Sequence, residues 1–277
     1  MRLAVPAFLV FAACSVPQRT ATSDELDLPY GTLEEQRLDV YLPAQSGYPT
    51  VLFVFGGGWH SGSRKDLTSM ALVLRAHGIG VVLPSHRLSP PHLFPSMEED
   101  VAAAFAWTKA HIPERGGDVR RVFVMGHSSG AHLVTLLGSD ARFLLKHALA
   151  PSDIAGVVGL STPSDLEPKR GGLHFGNILM GGNGAKVFER DAQRMKDASP
   201  IQHLAQQTPR TLLVVGDRDM PSLEQENEEY FKRAQAIGAR VELFSAEGCD
   251  HMGVVRALAN AKSPVFARVV AFLNASL

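Results

Sequence analysis

Five residues, Gly126-His127-Ser128-Ser129-Gly130, set a serine hydroxyl between two glycines. The run before them, Val122-Phe123-Val124, has the β-branched and aromatic residues of a strand. The run after them, Ala131-His132-Leu133-Val134-Thr135-Leu136-Leu137, can continue as a helix. Strand, Gly-x-Ser-x-Gly, helix is the context of a nucleophile elbow. The glycines lack a Cβ, so strand and helix can approach closely around the turn. Ser128 at the apex is expected to be strained, its hydroxyl pushed outward to where the free N–H groups of the helix also point. A bare Gly-x-Ser-x-Gly also arises by chance as a turn with an incidental serine, so other residues must decide.

A serine hydroxyl is a weak nucleophile near neutral pH. It needs a base within hydrogen-bond reach, and the base needs an orienting group. Gly216-Asp217-Arg218-Asp219 offers carboxylates, and Glu247-Gly248-Cys249-Asp250-His251-Met252-Gly253 offers a histidine. A third stretch, Gly56-Gly57-Gly58-Trp59-His60-Ser61-Gly62-Ser63, follows an apolar run directly. Its glycines leave backbone amides open to close approach by an anion. It lacks the Gly-Lys-Ser/Thr ending of a phosphate-binding loop, and a flexible loop is the plainer alternative.

The elements around these stretches follow from hydrophobic period and breakers. Residues from about Pro17 to Asp27 are polar and mixed and read as a tether. Strands are expected over Gln36–Leu42, Thr50–Phe55, Gly78–Pro84, Val119–Met125, Ile154–Leu160, Arg210–Gly216 and Arg240–Phe244. Helices are expected from Asp66, as cap, to about His77, and from Ser96, as cap, to about His111. Further helices run from the elbow to about His147, from Ser222 to Ile237 before Gly238, and from Ser263-Pro264 to about Asn274. Ser161 to Leu204 is broken by prolines and glycines and reads as loops and short helices over the sheet, a small cap that shapes the pocket. The alternation predicts an α/β protein with a mainly parallel sheet covered on both faces. In such sheets ligands bind beyond the carboxyl ends of the strands. That rule gathers the glycine loop, Ser128, the loop after Val215 and the loop after Phe244 on one rim.

The chain has 277 residues, 45% hydrophobic and 20% charged, enough for one large α/β domain with a sizeable core. A formal net charge of −1 argues against nucleic acid or an acidic membrane surface as main partner, because both need a basic face. The two cysteines, Cys14 and Cys249, make no disulfide framework, and the eleven histidines show no metal-ligand spacing.

The N-terminus reads separately. Met1-Arg2 precedes an apolar run from Leu3 to Cys14, a pattern that looks like a secretory signal. It is shorter than the roughly 20 apolar residues that span a bilayer. Phe11-Ala12-Ala13-Cys14 resembles a bacterial lipoprotein box, with Cys14 lipidated and Phe11 where leucine is usual. The expectation is an exported protein, periplasmic or anchored to a membrane by that lipid. The alternatives are an ordinary signal cleaved near Ala13, or an unprocessed extension on a cytoplasmic protein. Residues 1–27 would be leader and tether, and 28–277 one domain with the cap at about 161–204.

These stretches, in the order Ser…Asp…His, resemble the α/β-hydrolases of the esterase/lipase superfamily. The nearest branch has a His-Gly-Gly-x-Trp loop and includes small carboxylesterases, feruloyl-esterase-like proteins, prenylcysteine methylesterases and kynurenine formamidases. The resemblance is carried by Gly56-Gly57-Gly58-Trp59, Arg87-Leu88-Ser89-Pro90 with Phe94-Pro95 and the acidic helix start after it, the elbow, Asp219 and His251. These run from about Gln36 to the C-terminus. There are two departures. Phe55 stands where the family usually has histidine, and Ser85-His86-Arg87 replaces the more usual Asp-Tyr-Arg.

The resemblance implies an α/β-hydrolase fold, with Ser128 as nucleophile, His251 as general base and then acid, and Asp219 as its orienting carboxylate. Backbone N–H groups of Gly57, Gly58 and Ser129 would form the oxyanion hole. Asp217 is the rival to Asp219, and Asp250 reads as loop structure. Trp59 either lines the substrate pocket or packs beneath its loop. His127 and His132 suit packing and hydrogen bonding at the elbow. Arg87 and Asp100 could form a buried ion pair holding the proline-rich loop. The expected reaction is hydrolysis of a small-molecule ester, with no metal, cofactor or protein partner. Amide or formamide hydrolysis on the same triad is the alternative, and a non-catalytic binding protein of the same fold is a third.

Overall fold

The computed structural model describes residues 21–169, 174–182 and 184–275. Eight strands form one sheet: β1 (Ser23–Pro29), β2 (Arg37–Leu42), β3 (Tyr48–Val54), β4 (Gly80–Pro84), β5 (Gly117–His127), β6 (Val157–Leu160), β7 (Thr211–Arg218) and β8 (Val241–Asp250). Their spatial order is β1-β2-β4-β3-β5-β6-β7-β8. β1 and β2 pair antiparallel, as do β2 and β4; every other pairing is parallel. Helices connect the strands: α1 (Thr68–Ala76), α2 (Ser96–His111), α3 (Ser129–Ser139), α4 (Ala141–Leu145), α5 (Phe175–Gly181), α6 (Ala192–Asp197), α7 (Pro200–His203), α8 (Pro221–Ala236), α9 (His251–Arg256) and α10 (Pro264–Asn274).

The strand period of two divides the core. Val122 and Val124 of β5 pack with residues of α2, α3 and α4. Phe123 and Met125, their alternates, pack with residues of α1, α9 and α10 on the other face. β3 repeats the pattern with Leu52 and Val54 against Val51 and Phe53. Both faces are therefore buried, which explains why β3 and β5 read as continuous apolar runs. Between β6 and β7 lie α5, α6 and α7, the short helices expected of the cap.

Several boundaries differ from the sequence expectation. Ser23–Pro29, which overlaps the expected tether as far as Asp27, is an edge strand paired with β2. Its residues are mostly polar because little of an edge strand is buried, so hydrophobic period could not mark it. Asp66 is not a helix cap: Ser63 caps a short 3-10 turn (Arg64–Leu67) that leads into α1, its Oγ accepting from Lys65 N–H while Asp66 reaches back to Ser63 N–H at 2.8 Å. Ser96 is the first residue of α2 rather than its cap. The elbow helix stops at Ser139, and Asp140 starts α4 by accepting from Arg142 N–H. β8 continues to Asp250, because its pairing with β7 resumes past an irregularity after Gly216.

The proline-rich loop is held as expected. Arg87 donates through Nε and Nη2 to both oxygens of fully buried Asp100, each at 2.9 Å. Asp100 also accepts from Arg87 N–H and Gln36 Nε2, so its charge is paired and its lone pairs are used.

Glu98, two residues earlier, is the opposite case. It is fully buried and neither carboxyl oxygen has a partner among the described residues. Burial first, and the nearby Asp140 second, raise its pKa well above 4.5 despite Arg142. The folded chain thus keeps this proton at pH values where the unfolded chain has lost it. The resulting penalty is absent below the unfolded-state pKa and grows as pH rises above it. Glu98→Leu is expected to raise the melting temperature at pH 7, by more than at pH 4. Thermal unfolding at the two pH values measures this.

Candidate active site

β5 ends at the centre of the sheet and turns at once into α3. Ser128 sits at that turn with φ 54° and ψ −122°, a left-handed conformation costly for a non-glycine residue. The neighbouring glycines make the turn possible. A Cβ on Gly126 would lie 2.2 Å from Gly130 O, and one on Gly130 would lie 2.4 Å from Phe55 O. Ser128 N–H donates to Leu160 O at 2.9 Å, tying the turn to β6.

His251 Nε2 lies 3.0 Å from Ser128 Oγ, and His251 Nδ1 lies 2.9 Å from Asp219 Oδ1. Asp219 is buried and otherwise fully engaged: Met220 N–H donates to Oδ1 at 2.7 Å and Ser161 Oγ donates to Oδ2 at 2.5 Å. Burial opposes the charge on Asp219. The hydrogen bonds from His251, Ser161 and Met220 outweigh it and hold the carboxyl below its usual range. A carboxylate on Nδ1 fixes the imidazole so that Nε2 can accept the serine proton.

The rival carboxylates are used elsewhere. Asp217 is exposed and accepts from Gly248 N–H at 2.7 Å. Asp250 caps α9 through Gly253 N–H and pairs with Arg256. His127 Nε2 donates to His251 O at 2.9 Å; burial, with His251 beside it, pushes its pKa down to about 4, so it stays neutral. It positions the backbone of His251 rather than facing Ser128 with a free nitrogen. Cys249 is half-buried, and burial raises its thiol pKa, so it is not an activated thiolate.

Gly57 and Gly58 adopt φ 135° and 62°. The loop is pinned from behind, with Gly57 O accepting from Ser61 Oγ at 2.8 Å and Ser61 N–H at 3.1 Å. Among the described residues no backbone carbonyl accepts from the N–H of Gly57 or Gly58. Ser129 is the first residue of α3, where amides lack intrahelical acceptors. Gly57, Gly58, Ser128 and His251 line one cavity of about 420 Å³. Among the described residues no cluster of three or more His, Cys, Asp or Glu could hold a metal.

Two expectations need correction. Trp59 does not line this cavity: it is 2% exposed, its Nε1 donates to His132 Nδ1 at 3.2 Å, and its ring packs edge-on to Phe188. Its ring is buried in the core beneath the loop, and the residue itself has a positive φ of 64°. His132 in turn meets Ala198 O at 2.7 Å, so this histidine links the loop to the cap and is buried and neutral. The described residues of the cap also stand apart from the cavity. None of the described residues of 161–204 lines it, and Leu179 and Met195 are core. The walls come instead from Met70 of α1, Leu67 just before it, and Val255 of α9. The two departures from the family pattern meet in space: Phe55 stacks on His86 with ring centroids 4.4 Å apart.

Ser161 was not signalled by any motif. It follows β6 immediately, so the strand-end rule applied to Leu160 would have placed it on the rim. Ser161→Ala removes one donor to a charged carboxylate. The expected loss in kcat is about 10- to 100-fold, the value of a hydrogen bond to a charged group, read by steady-state kinetics on protein with unchanged circular dichroism.

The sheet order, the elbow at its centre and the rim of strand ends define an α/β-hydrolase. Within that class, the BD-FAE family model matches residues 38–233, and the chain belongs to that family. It is 30% identical over 237 residues to Esterase LipC of Mycobacterium tuberculosis, covering 80% of this chain and 58% of LipC. It is 26% identical over 248 residues to a kynurenine formamidase of Danio rerio, covering 87% and 78% of the two chains. A solved structure described as a truncated carbohydrate esterase from gut microbiota superposes with a TM-score of 0.76 at 20% identity, over 93% of this chain and 97% of the other.

Proposed function

We propose that the chain is a serine carboxylesterase that works through an acyl-enzyme on Ser128. The observation that carries this is the unbroken set of hydrogen bonds from Ser128 through His251 to Asp219. Ser128 Oγ attacks the ester carbonyl carbon as its proton passes to His251 Nε2. The carbonyl oxygen becomes an oxyanion beside the N–H groups of Gly57, Gly58 and Ser129. When the C–O bond to the alcohol breaks, His251 returns the proton to the departing oxygen. Water then repeats the attack on the acyl-enzyme, with His251 as base, and frees the carboxylic acid and Ser128.

Formamide hydrolysis on the same residues is the second reading. It is favoured by the kynurenine formamidase relative, of whose length the chain covers 78%. Purified protein assayed on p-nitrophenyl acetate and on N-formylkynurenine separates the two. The ester is expected to have the higher kcat/KM; the reverse would make the chain a formamidase.

Export, with lipidation of Cys14 and attachment of the protein to a membrane, is proposed from the sequence pattern of residues 1–14, which lie outside the described residues. Mass spectrometry of the membrane fraction tests it, and an unmodified, unprocessed Met1 overturns it.

A further inference from the structure

The apolar wall of the Ser128 cavity has a definite chemistry. Leu67, Met70 and Val255 are buried, and Met252 stands half exposed at the mouth. Methionine is unbranched and adaptable, so this wall can follow apolar groups of differing shape. At about 420 Å³ the cavity lies toward the small end of the range for ligand pockets, roughly 300–1,000 Å³. Its charged side of the ledger is equally clear. Among the described residues no lysine or arginine lines it, and its one acidic side chain is Asp66. Asp66 is exposed and held in place by Ser63 N–H. Arg64, two residues before Asp66, is occupied by Asp27 and Asp39 and does not line the cavity. A substrate carboxylate or phosphate would be desolvated beside Asp66 with no cation to compensate it.

Resting on the esterase reading above, we infer that the substrates are neutral esters whose small to medium apolar group lies on Leu67, Met70, Val255 and Met252, and that this wall sets chain-length preference. The fit of a single methylene in an apolar pocket is worth about 10- to 200-fold in kcat/KM, so a wall of four side chains can dominate selectivity. Asp66 adds discrimination against anionic esters of the same length.

The test uses the full chain on p-nitrophenyl acetate, butyrate and octanoate, with mono-p-nitrophenyl succinate as an anionic counterpart of the butyrate. In the wild type, kcat/KM for the butyrate exceeds that for the succinate by at least about 10-fold, and Asp66→Asn narrows the gap. Met70→Trp fills the cavity and lowers kcat/KM for the octanoate at least about 10-fold more than for the acetate. Met70→Ala, which adds no bulk, shifts preference toward longer chains and serves if the tryptophan variant does not fold. Ile178→Ala, on the exposed face of the cap, leaves the octanoate-to-acetate ratio at its wild-type value. Labelling of Ser128 by a fluorophosphonate is run on the same samples. Labelling with ratios unmoved by either Met70 variant, or with succinate equal to butyrate, overturns this inference and leaves the esterase reading standing. Absence of labelling and of any ester hydrolysis overturns both.

Discussion

Ser128→Ala is expected to lower kcat for p-nitrophenyl acetate by about 10⁶-fold, and His251→Ala by a similar factor. The reason lies in the geometry. In the proposed mechanism the alcohol of Ser128 becomes a nucleophile only as His251 Nε2, 3.0 Å away, takes its proton. Removing either member removes the same event. The double variant should therefore be no slower than the slower single variant, and the losses should not multiply. Neither substitution is expected to disturb folding, since neither side chain fills core space: Ser128 and His251 both line the open cavity. Steady-state kinetics on the two single variants and the double variant measure all of this.

Asp219→Asn should lower kcat by about 10⁴-fold. Asparagine is nearly the same shape but presents no charge to His251 Nδ1. It can offer that nitrogen an amide N–H, which favours the tautomer carrying the proton on Nε2, where a base must be free. It also leaves the imidazolium formed during catalysis without a counter-charge. Asp217→Asn is the matched control. Its side chain is exposed and, among the described residues, accepts from Gly248 N–H, which an asparagine oxygen can still do. The expected change is within about 2-fold, that of a surface substitution near 0.5 kcal/mol. Equal losses in the two variants would mean that the orienting carboxylate is misassigned.

The parts of this molecule legible in its sequence share a physical cause. β3 and β5 are buried on both faces, so their residues form apolar runs with sharp glycine ends. Ser128, Asp219 and His251 each lie at the carboxyl end of a strand, so recognising the strands located the residues. β1 was hidden for the converse reason: as an edge strand with few buried side chains it carries no apolar period. The cavity wall was hidden differently. Leu67, Met70, Ala71 and Leu74 recur at helical spacing, and that spacing is the same for a side chain facing the core and for one facing a pocket. Trp59 poses the same ambiguity on a loop, since an aromatic ring beside a glycine turn can point either way. Ser161 depends on a contact 58 residues away in sequence with Asp219, which no local pattern encodes.

Incubation of the purified chain with a fluorophosphonate probe, followed by tryptic mass spectrometry, tests the central claim most directly. A nucleophilic serine held beside His251 predicts one phosphonylated peptide, modified at Ser128, with labelling lost in His251→Ala. An intact Ser128, or equal labelling after His251 is replaced, would contradict it.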